Sequence, residues 1–144
     1  MAEQLPIKEG LFTWPADKPQ LLGSRCRNCG EYAFPAQPDC RSCSGQDTEI
    51  VELGDRGTLW TWTIQGFPPK NPPYAGKEKP EDFVPYGVGY VELPGHCKVE
   101  TRLTTANPKE LKIGMPMEMQ IVKFMEDDDG NDVMMFVFAP AEAA

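Results

Sequence analysis

Nothing in the 144 residues runs apolar for ~18 positions in a row, so no transmembrane helix is expected. The opening MAEQLPIKEG has no apolar stretch of the kind an export leader needs, and a cytoplasmic protein is expected. Basic side chains are in short supply: 14 Lys and Arg stand against 22 Asp and Glu, a net charge of −8. That disfavours a nucleic-acid partner, because such affinity rests on neutralising phosphates. Histidine occurs once, as His96, which leaves little material for acid–base chemistry. Long helices are not expected either. Gly and Pro together make about a fifth of the chain, short of the roughly 25–30% that signals disorder but enough to predict many turns.

What the chain does have is cysteine. Five are present, an odd number, and without an export leader a disulfide framework is the poorer reading. In LLGSRCRNCGEYAFPAQPDCRSCSGQD, Cys26 and Cys29 form one C-x-x-C, and Cys40 and Cys43 form another ten residues later. Two residues between cysteines let a tight knuckle aim both sulfurs at one ion. Two knuckles supply the tetrahedral Cys₄ set that zinc prefers. Gly30, and then Ser44-Gly45, provide small residues where each knuckle turns back with positive φ. All four ligands are used in such a site, so the metal is expected to be structural and residues 21–47 to form a zinc ribbon. Iron uses the same ligand set, and spacing alone does not choose between the two. Lys18, Arg25, Arg27 and Arg41 lie nearby in sequence, to offset thiolate charge or simply to be solvated.

Residues 48–140 read as five strands. In GTLWTWTI, Thr58, Trp60, Trp62 and Ile64 are expected on one face, with Leu59, Thr61 and Thr63 on the other. YGVGYVEL leads through Pro94-Gly95 to HCKVETRL, where Cys97, Val99, Thr101 and Leu103 alternate with charged residues. Asn107-Pro108 opens a helical turn, with Asn107 as its cap. PMEMQIVKF places Met117, Met119 and Ile121 on one side, and VMMFVF is apolar on both faces. Five strands with a short turn between the third and fourth suit a small closed OB-fold barrel, with an open sandwich as the alternative. The doubly apolar last strand needs a cover on its second face: the ribbon, the N-terminal arm (residues 1–20) or another protein. Phe12 and Trp14 of that arm are expected to pack on something, and residues 141–144 form a tail. Glu126–Asp132 (EDDDGND) fails as a calcium loop. With Gly130 in the sixth position, Met125 and Phe136 would occupy ligand positions that need carboxylates, so a hairpin turn is expected.

Order and motif together carry a resemblance. A C-x-x-C-G…C-x-x-C ribbon precedes GDRGTLWTWT (Gly54–Thr63), then Pro85-Tyr86, LKIGMPMEM (Leu111–Met119) and a closing FAP (Phe138–Pro140). Over residues 20–140 this resembles the family of acyl-CoA-associated proteins that join a rubredoxin-like zinc ribbon to an OB-fold, long grouped as a domain of unknown function. The resemblance implies a mainly β protein, the ribbon followed by a five-stranded OB-fold barrel. It also implies a small accessory subunit that pairs with thiolase-like proteins in a hetero-oligomer and helps form the site for the CoA portion of the substrate. The long helix that often precedes the ribbon in that family is short or missing here.

The residues themselves offer no independent catalytic set. A thiolase needs a nucleophilic cysteine with histidine bases nearby, whereas His96 and Cys97 are strand neighbours that point to opposite faces. We therefore expect no turnover by this chain alone, structural Zn²⁺ on Cys26, Cys29, Cys40 and Cys43, and a thiolase-like partner that supplies the chemistry. The implied reaction is CoA-dependent cleavage or formation of a C–C bond in a β-ketoacyl-CoA. Coenzyme A is then a shared ligand, and the proline-rich connection Phe67–Pro85 offers Lys70, Lys77 and Lys79 for its phosphates. Two alternatives stand beside this reading. A single-stranded nucleic-acid-binding OB-fold protein could stack bases on Trp60, Trp62, Tyr86 and Tyr90, although residues 49–144 carry 9 basic and 16 acidic groups. A rubredoxin-like electron carrier would hold iron.

Overall fold

The fold is described from a computed structural model covering residues 3–68, 70, 80–93 and 97–141. Nine strands and two short 3₁₀ turns make it up, with no α-helix among the described residues. No helix there is long and apolar enough to cross a membrane.

The five expected strands are present as β5 (Arg56–Gln65), β6 (Tyr86–Leu93), β7 (Cys97–Leu103), β8 (Pro116–Glu126) and β9 (Asp132–Pro140). They pair in the order β9-β7-β6-β5-β8, and β8 pairs back onto β9, so the sheet closes into a barrel and the open sandwich is excluded. β7 alternates as its pattern predicts: Cys97, Val99, Thr101 and Leu103 are buried, and Lys98 and Glu100 are exposed. The Asn107 side chain accepts from Lys109 N–H at 3.0 Å and caps the 3₁₀ turn Pro108–Glu110. The acidic segment is a hairpin tip. The Asp127 carboxylate accepts from the N–H groups of Asp129 and Asn131, and Gly130 sits at φ +82°.

One expectation on β5 is corrected. Its register against β6 slips between Leu59 and Thr61, so a β-bulge interrupts the period-2 alternation. Leu59 is buried, Trp60 turns outward at 51% exposure, and Trp62 and Ile64 pack against the core again. Thr58, Trp60, Trp62 and Ile64 therefore do not share a face. Trp62 lies opposite Gly89, where a Cβ would meet the Thr61 carbonyl oxygen at 2.8 Å, so only glycine fits that close approach.

Four further strands lie outside the barrel. β1 (Gln4–Pro6) pairs in parallel with β9, and β2 (Leu21–Cys26) is flanked antiparallel by β3 (Tyr32–Ala33) and β4 (Thr48–Gly54). Gly54, at φ +90°, turns the chain from β4 into the barrel. The two sheets share one apolar cluster: Phe12, Leu21 and Leu53 join Leu59, Val91, Val99, Met117, Phe136 and Phe138. The rings of Phe12 and Phe34 meet Phe136 edge-on at 6.5 and 5.6 Å. Arm and ribbon thus both cover the last strand, whose doubly apolar pattern calls for that cover.

Candidate metal centre

The ribbon is built from two near-identical turns. In the first, Cys26 N–H donates to Glu31 O and Gly30 N–H donates to Cys26 O; in the second, Cys40 N–H donates to Gly45 O and Ser44 N–H donates to Cys40 O. Gly30 (φ +82°) and Ser44 (φ +63°) occupy the reversing position of each knuckle, as their small side chains suggest. Arg27 N–H donates to Asp47 O at 2.8 Å, which continues the β2–β4 ladder past the first knuckle. Ser24, buried on β2, accepts from Gln37 N–H and holds the intervening loop.

This repetition brings all four sulfurs together, each within 4.8 Å of the others. Cys26 and Cys43 lie 3.6 Å apart and Cys29 and Cys40 3.5 Å apart, so the close pairs cross between the knuckles. A tetrahedral ion with Zn–S near ~2.3 Å needs S···S separations of about 3.8 Å, and this cluster needs only slight adjustment to reach them. The first cysteine of each knuckle is buried and the second exposed.

The donors around the sulfurs also fit a cation. Cys29 N–H reaches Cys26 Sγ at 3.5 Å, and Ser42 N–H reaches Cys40 Sγ at 3.4 Å. The Asn28 amide reaches across to Cys43 Sγ at 3.6 Å. That amide, together with the Gly45 N–H and the neighbouring sulfurs, draws the Cys43 thiol down to about 6. Cys29 moves the other way. The Glu31 N–H favours its thiolate, but the sulfur of Cys40, partial desolvation and the sulfurs of Cys43 and Cys26 together push it up to about 12. Four crowded thiols cannot all ionise next to one another. A divalent cation at their centre removes that repulsion, and so the residues present fit structural zinc. Asn28 was not singled out by the spacing pattern; its position inside the first C-x-x-C is the only sequence signal it gives.

Arg27 is engaged by Asp47 at 3.0 Å and Glu49 at 2.8 Å. Arg25 lies over the Tyr32 ring at 5.9 Å. Cys97 faces the core, and burial pushes its thiol up, with Arg41 and Glu31 making smaller opposing contributions. Lys70 is exposed; Lys77, Lys79 and His96 lie outside the described residues. The four aromatic residues considered for base stacking are divided by the β5 bulge. Trp62 packs inward, Trp60 and Tyr90 meet edge-on at 6.2 Å with Lys98 over the Trp60 ring at 4.3 Å, and Tyr86 carries Arg102 over its ring at 3.6 Å.

Comparison with known proteins agrees with this geometry. Residues 13–49 match the family model described as the ChsH2 rubredoxin-like zinc ribbon domain, and residues 50–122 match that of the ChsH2 C-terminal OB-fold domain. The chain is 33% identical over 125 residues to a DUF35 domain-containing scaffold protein of Pyrococcus furiosus, a match covering 86% of this chain and 85% of the relative. It is 30% identical over 152 residues to the benzoylsuccinyl-CoA thiolase subunit BbsA of Thauera aromatica, covering 96% and 98%. A solved structure titled Ltp2-ChsH2(DUF35) aldolase contains a chain that superposes with a TM-score of 0.61 at 26% identity, over 84% of each chain.

Proposed function

The chain belongs to the ChsH2 family, which joins a rubredoxin-like zinc ribbon to a C-terminal OB-fold domain, and from that premise we propose that it is a non-catalytic accessory subunit of a thiolase-type complex acting on CoA thioesters. The observation that carries this reading is the near end-to-end match to a thiolase subunit. The match to a chain of an aldolase assembly adds to it. Both names point to enzymes that make or break C–C bonds, and one names a CoA thioester. The proposed overall reaction is CoA-dependent cleavage or formation of a C–C bond in a β-ketoacyl-CoA.

The division of labour follows from the residues. Bound zinc would be held by Cys26, Cys29, Cys40 and Cys43; with four protein ligands it supplies rigidity and no open coordination position. The ribbon so stiffened packs Leu21, Leu53 and Phe34 against the barrel. The thiolase-like partner supplies the nucleophile and the bases. Lys70, Lys77 and Lys79 are the proposed contacts for the phosphates of CoA, on the connection that follows β5.

Co-expression with a thiolase-fold protein encoded in the same genome tests the reading. A stable hetero-oligomer that cleaves or forms a β-ketoacyl-CoA is expected, while the purified chain alone leaves acyl-CoA unchanged. Thioester turnover by the chain alone would overturn it. So would salt-sensitive binding to single-stranded oligonucleotides with no affinity for any thiolase-fold protein.

A further inference from the structure

In each knuckle the buried sulfur accepts a hydrogen bond from the backbone of its own turn: Cys26 from Cys29 N–H and Cys40 from Ser42 N–H. Apart from the thiols themselves, which meet in the pairs Cys26–Cys43 and Cys29–Cys40, only one side chain among the described residues donates to a sulfur. It does so across the cluster, from Asn28 in the first knuckle to Cys43 in the second. These backbone donors to sulfur each stay within one knuckle, and the ladder bond from Arg27 N–H reaches Asp47 O, past the second knuckle. The two halves come together closely at Asn28. A Cβ on Gly45 would lie 3.2 Å from Cys43 Sγ, 3.7 Å from Cys26 Sγ and 3.8 Å from Asn28 Cβ. Cys43 is also one of the two exposed cysteines, where water would otherwise compete for the thiolate.

We propose that Asn28 is a positioning residue for the metal: its side-chain amide stitches the two knuckles together and lowers the electron-donating strength of the solvent-facing Cys43 thiolate. The inference rests on the zinc reading of the four cysteines. Partners that orient metal ligands without touching the metal typically change affinity by about 10- to 100-fold when removed.

The test uses the full chain, loaded with Zn²⁺ or Co²⁺. Asn28→Leu, which keeps the size and removes the donor, is expected to bind zinc at least about 10-fold more weakly in competition with a chromogenic chelator. Its Co²⁺–thiolate charge-transfer band is expected at longer wavelength, because an unbonded thiolate gives up its electron more readily. Asn28→Gln, which keeps an amide, should recover part of both effects. Arg27→Met, which removes the ion pairs beside the same knuckle but leaves the amide, should not move the band. An Asn28→Leu affinity within about twofold of the parent, with an unmoved band, would overturn the proposal; so would equal losses in the Leu and Gln variants, which would assign the effect to shape rather than to the N–H. A parent chain that takes up neither metal would instead sink the zinc reading itself.

Discussion

Between Leu21 and Gly54 the ribbon sheet buries only two large apolar side chains, Leu21 and Leu53, and both belong to a cluster it shares with the barrel. The other buried side chains of that stretch are Ser24 and the sulfurs of Cys26 and Cys40. From Arg56 to Pro140 the barrel buries Leu59, Val91, Leu93, Val99, Leu103, Leu111, Met117, Phe136 and Phe138, each worth ~1.5–3 kcal/mol when fully removed from water. One lobe has a core of side chains. The other has a cluster of four thiols where a core would be, and its free energy of order must come from a metal and from the neighbour it leans on. A family that keeps both lobes in one chain gains a rigid projection at the cost of very few residues.

The sharpest way to break that comparison is to remove a ligand. Structural zinc in small ribbons contributes about 10–16 kcal/mol of apparent binding free energy, far more than the few buried residues of this ribbon could replace. Cys26→Ala is expected to emerge without metal by elemental analysis, to lose amide-exchange protection throughout β2 and β4, and to fail to assemble with a thiolase-like partner. The barrel strands β5 to β8 should stay protected. Protection of β2 in the metal-free variant would mean that packing, not the ion, orders the ribbon. Next in size comes Phe136→Ala, which strikes the surface common to both lobes. Phe136 is 2% exposed and touches both Phe12 and Phe34, so truncation should lower stability by about 3–5 kcal/mol in chemical denaturation. Zinc release and barrel unfolding should then both shift to lower denaturant; a shift in only one of them would show that the two lobes do not share a core.

Much of this architecture is legible in the sequence, and the exceptions have a physical pattern. The knuckles are local objects, written in spacings of three residues with small residues at the reversals, and Gly30 and Ser44 adopt the positive φ their positions suggest. β7 alternates without interruption, so its buried face can be read directly. The Asn107 cap and the 127–130 turn are equally local. What could not be read depends on distant chain. β1 finds β9 about 128 residues away, and its three residues carry no periodicity of their own. β4 is a strand because β2 is beside it. The bulge at Trp60 is set by the register against β6 and silently exchanges the faces of β5, which is why four aromatic residues that look like one stacking surface are split. At the metal site the ligands were legible but the Asn28 donor was not, because a hydrogen bond between knuckles exists only once both have folded.

The cysteines themselves sharpen the contrast between the lobes through pH. Cys43, held at about 6 by the Asn28 amide and the Gly45 N–H, lies well below the ordinary thiol value of 9.0 that it regains on unfolding. In the metal-free chain the unfolded ribbon therefore binds more protons than the folded one between pH 6 and 9, and ribbon stability rises with pH across that window; zinc, which needs all four cysteines as thiolates, adds a dependence of the same sign. Below about 6 this contribution is lost, and zinc goes with it, because the ligand must be a thiolate. Cys97 in the barrel has the opposite sign: burial raises its thiol, so its contribution is present below pH 9 and fades as pH climbs further. Urea titrations of the zinc-loaded chain at pH 6.5, 7.5 and 8.5 should move the midpoint of metal release upward, while the tryptophan-reported unfolding of the barrel moves much less. Parallel movement of the two would contradict the assignment of the titrating group to the ribbon.

The smallest effect is the most discriminating about what does not hold the ribbon. Each lobe carries a cation between two carboxylates: Arg27 with Asp47 and Glu49 beside the first knuckle, and Lys123 with Glu126 and Asp132 at the end of the β8–β9 hairpin. Both cations are about half exposed, so solvent and salt screen them, and exposed pairs of this kind seldom contribute measurably. Arg27 nevertheless sits one residue from a metal ligand, and its side chain ties the knuckle to β4, so a naive reading gives it the larger role. If the metal supplies the cohesion, Arg27→Met should shift the zinc-release midpoint no further than Lys123→Met shifts barrel unfolding, with both changes at the edge of detection at physiological salt. Raising the salt concentration should then leave the zinc-loaded ribbon unaltered. A clear loss confined to Arg27→Met, erased by salt in the parent, would mean that the ribbon is assembled electrostatically before the ion arrives and that zinc only locks what the ion pairs have already brought together.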